Sequence, residues 1–269
     1  MASDQTPASW QRNLGYVSPA EQKRLAESRA AVLGLGGVGG VAAELLARAG
    51  VGELVVCDVD QFEASNLNRQ VGALNSTLGQ AKTEVMARRL MDINPRLELK
   101  RAAPLDLGPD LATEALAECR AGVLAIDALG PALAALRAAR AMNVPLVEAL
   151  GLPVVQVRSY APDGPDPEDG LPSQGRGLAE VDRAELARAW LERELPRLGD
   201  GQGGPLALEP DFLRAMLAGR AAPSLGPVVW LAGAAAALET LKILIGRGGV
   251  VWWPRCFSLD PCSWQSSLA

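Results

Sequence analysis

The run Val32-Leu-Gly-Leu-Gly-Gly-Val-Gly-Gly40 limits what this chain can fold into more than any other stretch. Ala30–Leu33 reads as a buried strand and Val38–Ala49 as a helix closed by Gly50. A glycine-rich turn between such elements brings backbone very close to a ligand and aims N–H groups at an anion. Gly34, Gly36 and Gly39 fill the G-x-G-x-x-G positions, with Gly37 and Gly40 as further room. That pattern alone also serves dinucleotide sites and turns that hold no ligand, so the downstream sequence must decide.

Further strands follow at Leu54–Cys57, Leu97–Lys100, Gly122–Ile126 and Leu146–Ala149. Helical patterns at Gln80–Ile93, Leu111–Cys119 and Ala132–Met142 separate them. The first of these repeats its apolar positions Val85, Met86, Leu90 and Ile93 at helical spacing. This alternation predicts α/β architecture, a Rossmann-like and mainly parallel sheet with flanking helices. Later segments are more varied. Leu152–Tyr160 reads as a strand, Ala161–Gly177 as a Pro/Gly/Asp-rich loop, Leu178–Leu198 as a charged helix and Gly199–Pro205 as a flexible break. A long Ala/Leu helix at Pro227–Gly246 and a strand or hairpin at Val250–Leu259 would complete the sheet. One domain over 1–269 is expected, with an N-terminal helical arm over 1–29 and an insertion or crossover over 161–225.

After the second strand come Asp58 and Asp60, then Ser65-Asn-Leu-Asn-Arg-Gln70, then Gly79-Gln-Ala-Lys82. An acid at a strand end suits a ribose hydroxyl. Asn66, Arg69, Gln70 and Lys82 bring two cations and two amides downstream of the same strand, which suits a polyphosphate undergoing displacement. A hydride-transferring NAD(P) site explains the glycines and Asp58 but gives Arg69 and Lys82 nothing to do.

The composition excludes several other chemistries. The chain has no histidine, which removes Ser-His and Cys-His nucleophile pairs and the commonest general base. Its 4 cysteines, Cys57, Cys119, Cys256 and Cys262, form no Cys-x-x-Cys pair, so no zinc site is expected. The net charge of −5, with no basic tract, gives no sign of a dedicated nucleic-acid surface, although a tRNA held by a few side chains stays open. Met1–Glu21 lacks an apolar core, and Glu239 and Lys242 interrupt the longest apolar run, Val228–Ile245. Neither a leader nor a membrane span is expected, and a reducing cytoplasmic setting is the default.

The chain resembles the ThiF/MoeB/HesA superfamily, bacterial relatives of ubiquitin-activating enzymes. The resemblance rests on G-L-G-G-V-G, D-V-D-x-F-x-x-S-N-L-N-R-Q, L-G-Q-A-K, D-I-N-P and the late P-S-L-G…A-L-E-T-L-K-I-L-I-G. It runs from about Arg12 to about Leu259 and leaves residues 161–222 uncovered. It implies ATP-dependent adenylation of a C-terminal carboxylate on a small ubiquitin-like or sulfur-carrier protein, or a related acyl partner, with Mg²⁺ and a homodimer or heterodimer. Gly34, Gly36, Gly37, Gly39, Asp58, Asp60, Asn66, Arg69, Gln70 and Lys82 would then bind the nucleotide. Asn66, Arg69 and Lys82 would stabilise phosphate charge, and Arg12 would reach the neighbouring subunit's nucleotide.

One motif departs from the family. Relatives follow the fourth strand with Asp-x-x-Asp, whose second aspartate binds Mg²⁺. Here Asp127 fills the first position and Gly130 stands in the second. A glycine offers a hard cation no side-chain oxygen. Asp127 or another carboxylate could substitute, a partner could supply the ligand, or adenylation could be lost, leaving a catalytically silent scaffold that supports an active partner. No cysteine lies between Gly151 and Gly226, where some relatives carry an acyl-capturing thiol.

Overall fold

The structure, a computed structural model, describes residues 6–102, 109–151, 154–194, 223–261 and 263–268. The elements, in chain order, are α1 (Pro19–Ala26), β1 (Arg29–Leu33), α2 (Gly37–Ala49), β2 (Glu53–Cys57), α3 (Lys82–Ile93), β3 (Glu98–Arg101) and α4 (Pro109–Leu116). They continue with β4 (Ala121–Leu124), α5 (Leu129–Ala141), β5 (Leu146–Gly151), β6 (Val155–Tyr160), α6 (Arg183–Glu194), α7 (Gly226–Ile245), β7 (Phe257–Leu259) and β8 (Ser266–Leu268). The break read at Gly199–Pro205, the end of Leu178–Leu198 and Cys262 lie outside the described residues.

All eight strands form one sheet in the order β3-β2-β1-β4-β5-β6-β7-β8. The first five are parallel, and β6, β7 and β8 each add antiparallel to the strand before. The α/β class, the mainly parallel sheet and its completion by C-terminal strands are therefore as expected. The expected closing strand at Val250–Leu259 is confined to Phe257–Leu259, and β8 beyond it pairs as a hairpin.

Composition explains the order of layers. β1 and β4 are apolar on both faces and buried almost throughout, as parallel strands covered on both sides must be. One face carries α2, α3 and α7 over Ala30, Val32, Leu54, Val56, Val123 and Val147. On the other, Ala31, Leu33, Val55, Leu124 and Leu146 meet Leu116, Leu133, Leu136 and Leu186. α7 is long and apolar enough to cross a membrane by composition alone. In this fold 56% of its most apolar window is buried, against α2, β5 and β6.

Strand order reverses between β1 and β4. In an open parallel sheet that reversal leaves a crevice beyond the carboxyl ends of the two strands, where ligands bind. The glycine turn follows β1 and Asp127 follows β4, so both candidate motifs open onto the same crevice.

Candidate functional site

Three close approaches, two to backbone and one to a side chain, shape the glycine turn. Gly34 holds φ +92°, and a Cβ there would lie 2.3 Å from the Ala125 carbonyl oxygen, just past β4. A Cβ on Gly39 would lie 1.9 Å from the Gly34 carbonyl oxygen. One on Gly37 would lie 2.4 Å from Cγ1 of Val229 in α7. Only glycine permits both the positive φ and these approaches. α2 starts at Gly37 with no side chain capping it, so its first N–H groups open onto the crevice.

Asp58 clips this turn to the end of β2. One carboxylate oxygen accepts the Leu35 N–H at 2.6 Å, and the other accepts the Asp60 N–H at 2.8 Å. Its side chain is 7% exposed. Lys82, at the start of α3, is equally buried; its Nζ lies 2.8 Å from Asp60 Oδ2 and 3.8 Å from Asp58 Oδ1. The helix expected from Gln80 begins at Lys82, because Gln61 and Ala81 form a bridge that holds the preceding residues extended.

Asn66, Arg69 and Gln70 sit on the turn after β2. Asn66 is buried and folds inward, its Oδ1 accepting the Glu63 N–H at 3.1 Å. Arg69 is half-buried, and Nη1 donates to the Ser65 carbonyl and to Asn68 Oδ1, both at 2.9 Å. Its stem passes the start of α2, since a Cβ on Gly37 would be 3.6 Å from Arg69 Cγ. Gln70 is buried against the turn, its Nε2 3.6 Å from a Cβ built on Gly36, and its Oε1 has no hydrogen-bond partner. An orphaned buried amide oxygen beside a glycine cradle and two cations fits a ligand with hydrogen-bond donors and phosphates.

The remaining candidates are Asp127 and Gly130, past β4, and Arg12 on the N-terminal turn. Asp127 is exposed beyond β4. The helix expected from Ala132 begins at Leu129, so Gly130 sits in its first turn with nothing within 4 Å of a Cβ. Among the described residues no three His, Cys, Asp or Glu side chains group as metal ligands. Asp58 and Asp60 are engaged with Lys82, which leaves Asp127 as the acidic group after β4 available to a cation held mainly by phosphates and water. Arg12 is exposed on the 3₁₀ turn Ala8–Asn13. Trp10 packs on Gly50 and Asn13 donates to the Ala49 carbonyl, so Arg12 sits at the C-terminal end of α2. A 13-residue helix puts that end about 20 Å from the glycine turn.

Two site contributors gave no usable sequence signal. Val229, which seals Gly37, reads as one more apolar residue of a core helix. Trp230, whose Nε1 donates to the Arg69 carbonyl at 2.8 Å, sits in a run otherwise read for length and hydropathy.

The ThiF family model matches residues 9–265. A tRNA threonylcarbamoyladenosine dehydratase of Bacillus subtilis (strain 168) is 52% identical over 88 residues, 33% of this chain and 35% of that protein. Of this and two further dehydratases of that name, the chain covers only 30% to 46% of the length. The sulfur carrier protein ThiS adenylyltransferase of Escherichia coli (strain K12) is 28% identical over 245 residues, 91% of this chain and 83% of that enzyme. Among solved structures, E. coli MccB with ATP superposes with a TM-score of 0.72 at 18% identity, covering 98% of this chain and 71% of MccB, which bears on the fold alone. With a family match over nearly its whole length, this chain belongs to the ThiF family.

Proposed function

We propose that the protein is an ATP-dependent adenylyltransferase that activates a carboxylate, and that the carboxylate is the C-terminus of a small ubiquitin-like or sulfur-carrier protein. The observation that carries this is the convergence of the glycine turn, the Asp58–Lys82 pair, Arg69 and Gln70 at the β1/β4 reversal, in a chain with no histidine. Adenylation needs phosphate charge to be held still while a carboxylate attacks the α-phosphorus and pyrophosphate leaves. Positioning and fixed electrostatics supply that, and no general base is required.

In this proposal the first N–H groups of α2 face the phosphates, and the missing Cβ atoms let them approach. Asp58 anchors the turn with its two backbone bonds and presents its remaining lone pairs to the ribose. Lys82 and Arg69 oppose the charge that grows on the leaving pyrophosphate. Gln70 Oε1 accepts a donor from the nucleotide, and Asn66 holds the turn from Glu63 in register. Mg²⁺, held by phosphates and water with Asp127 as protein ligand, would neutralise charge on the triphosphate. Arg12, at the far end of α2, cannot serve its own crevice and would complete the site of a second copy, so the working unit is a homodimer.

Gly130 favours a second reading, a nucleotide-binding scaffold whose chemistry is performed by an active partner. A third reading, in which the activated group is a threonylcarbamoyladenosine carboxylate on tRNA, is favoured by the local identity to the dehydratases. ATP–pyrophosphate exchange tests all three. It is measured with Mg²⁺ on the protein alone, with carrier proteins ending in Gly-Gly, and with tRNA bearing that nucleoside. Carrier-stimulated exchange supports the proposal, tRNA-stimulated exchange moves the substrate to RNA, and ATP binding without exchange leaves the scaffold.

A further inference from the structure

The turn that carries Arg69 is fastened to α7 by two side chains with no assigned part in the chemistry. Asn68 Nδ2 donates to the Ser224 carbonyl at 2.8 Å, two residues before α7, while its Oδ1 accepts from Arg69 Nη1 at 2.9 Å. Trp230, one turn into α7, donates its indole N–H, the only donor of its side chain, to the Arg69 carbonyl at 2.8 Å. Arg69 is thus gripped at its guanidinium through Asn68 and at its backbone through Trp230, and both grips lead to the same end of α7. Within its own turn Arg69 is also held by the bond from Nη1 to the Ser65 carbonyl and by its backbone N–H, which donates to the Asn66 carbonyl at 3.1 Å.

The exposure of Trp230 makes this more than packing. A core-filling indole would be buried, yet Trp230 is 48% exposed on a helix whose neighbours Val228 and Val229 are 5% exposed. An exposed indole gains little from burial of its ring. Its single polar atom is nevertheless spent on the carbonyl of a residue in the nucleotide crevice. A long cation on a surface turn samples many rotamers, and fixing it loses side-chain entropy that must otherwise be supplied on binding.

We propose that Asn68 and Trp230 are positioning residues that hold Arg69 toward the nucleotide phosphates, so that α7 acts as the fixed base for that cation. The inference rests on Arg69 meeting phosphate, as in the proposed function, but not on turnover.

The test is a double-mutant cycle read by binding of a non-hydrolysable ATP analogue to the full chain. Trp230→Phe keeps the ring and removes the donor. Asn68→Ala removes the bridge, and Arg69→Ala removes the cation. Trp230→Phe and Asn68→Ala are each expected to weaken analogue binding about three- to tenfold in the otherwise native chain, the scale of one net hydrogen bond. In the Arg69→Ala background the same changes are expected to have no further effect. An equal loss in both backgrounds, or none in the native background, overturns the proposal and makes the two residues structural. Circular dichroism and melting of each variant separate misfolding from lost positioning. If Arg69→Ala itself leaves analogue binding unchanged, the positioning proposal fails at its premise. If binding behaves as expected but pyrophosphate exchange is absent, only the adenylation proposal falls.

Discussion

Lys82 Nζ lies 2.8 Å from Asp60 Oδ2 and 3.8 Å from Asp58 Oδ1, so one buried cation spans two carboxylates at the end of β2. Asp58 is buried and Asp60 is 61% exposed, so the two contacts are not equivalent. Without ligand, Lys82 neutralises the carboxylate that clips the glycine turn. With a triphosphate present, the same ammonium can turn to phosphate while Asp60 falls back on solvent. Lys82→Ala is expected to cut ATP turnover about 100-fold or more, the scale of losing one fixed electrostatic group. Asp60→Asn should cost far less. Pyrophosphate exchange and analogue binding on both variants check this, and an unchanged rate in Lys82→Ala would sink the assignment.

The contact between Gly37 and Val229 makes a second prediction. A methyl group on Gly37 would meet Val229 Cγ1 at 2.4 Å, which no side chain tolerates without movement. Gly37→Ala should therefore push α7 from the start of α2, lowering the melting temperature and nucleotide affinity together. Val229→Ala removes the obstructing methyl groups, so the double variant should recover much of both. Additive losses in the double variant would show that the crowding lies elsewhere.

Much of this arrangement was legible in the chain, for physical reasons. The parallel core could be read because both faces of β1, β2 and β4 are covered, which leaves unbroken apolar runs between helical patterns. The candidate set Asp58, Asn66, Arg69, Gln70 and Lys82 could be picked out as a group because its residues follow one another along two turns after β2. What depends on long-range packing could not be read. Trp230 and Val229 reach the crevice from α7, more than 150 residues after Arg69 in the chain, and nothing local marks them. The same holds for Arg158 on β6, buried between Glu148 on β5 and Glu194 on α6, with the Trp253 ring beneath its guanidinium. Element starts shifted for local reasons too. The bridge of Gln61 with Ala81 delayed α3 to Lys82, while α5 began ahead of Pro131, a residue tolerated in a first turn.

Thiol chemistry offers a third prediction. Burial pushes the Cys119 thiol up to about 11, against a smaller opposing pull from Arg29. At pH 8 about one such thiol in a thousand is ionised, and thiolate is the reactive form. Cys57 and Cys256 are 1% exposed. Native protein at pH 8 should leave these three unmodified by a maleimide over minutes, and mass spectrometry should find no acyl group on them after incubation with ATP and carrier. Labelling of Cys119 as fast as a free thiol would contradict its burial.

Acid should loosen the seam between α2 and α3. Burial raises the Glu44 carboxyl, but hydrogen bonds from Arg89 and Arg48 outweigh it and leave it below the usual carboxylate value. The Arg89 contact, at 2.6 Å, crosses from α3 to α2. A carboxyl depressed on folding contributes stability that is present above its unfolded value and is lost as pH falls through the folded one. Denaturant midpoints should therefore decline on acidification below about pH 4.5, and Glu44→Gln should shrink that decline while lowering stability at pH 7. Identical acid limbs in the two proteins would remove Glu44 from the account.

Gly130 carries the sharpest prediction. It occupies the first turn of α5, beside the crevice, with nothing within 4 Å of a Cβ. Gly130→Asp should fold without strain. Replacing glycine inside a helix, and placing an acid in the first turn, should hold or raise stability by about 0.3–1 kcal/mol. If the crevice lacks only a metal ligand, the variant should speed pyrophosphate exchange and reach its maximum at lower Mg²⁺. An exchange rate unchanged at every Mg²⁺ concentration, in a folded variant that still binds ATP, would mean that the native chain fills the metal position another way or has set adenylation aside. Asp127→Asn then separates these outcomes. If Asp127 already serves as the ligand, that change abolishes exchange in the native chain; in a scaffold there is no exchange to lose.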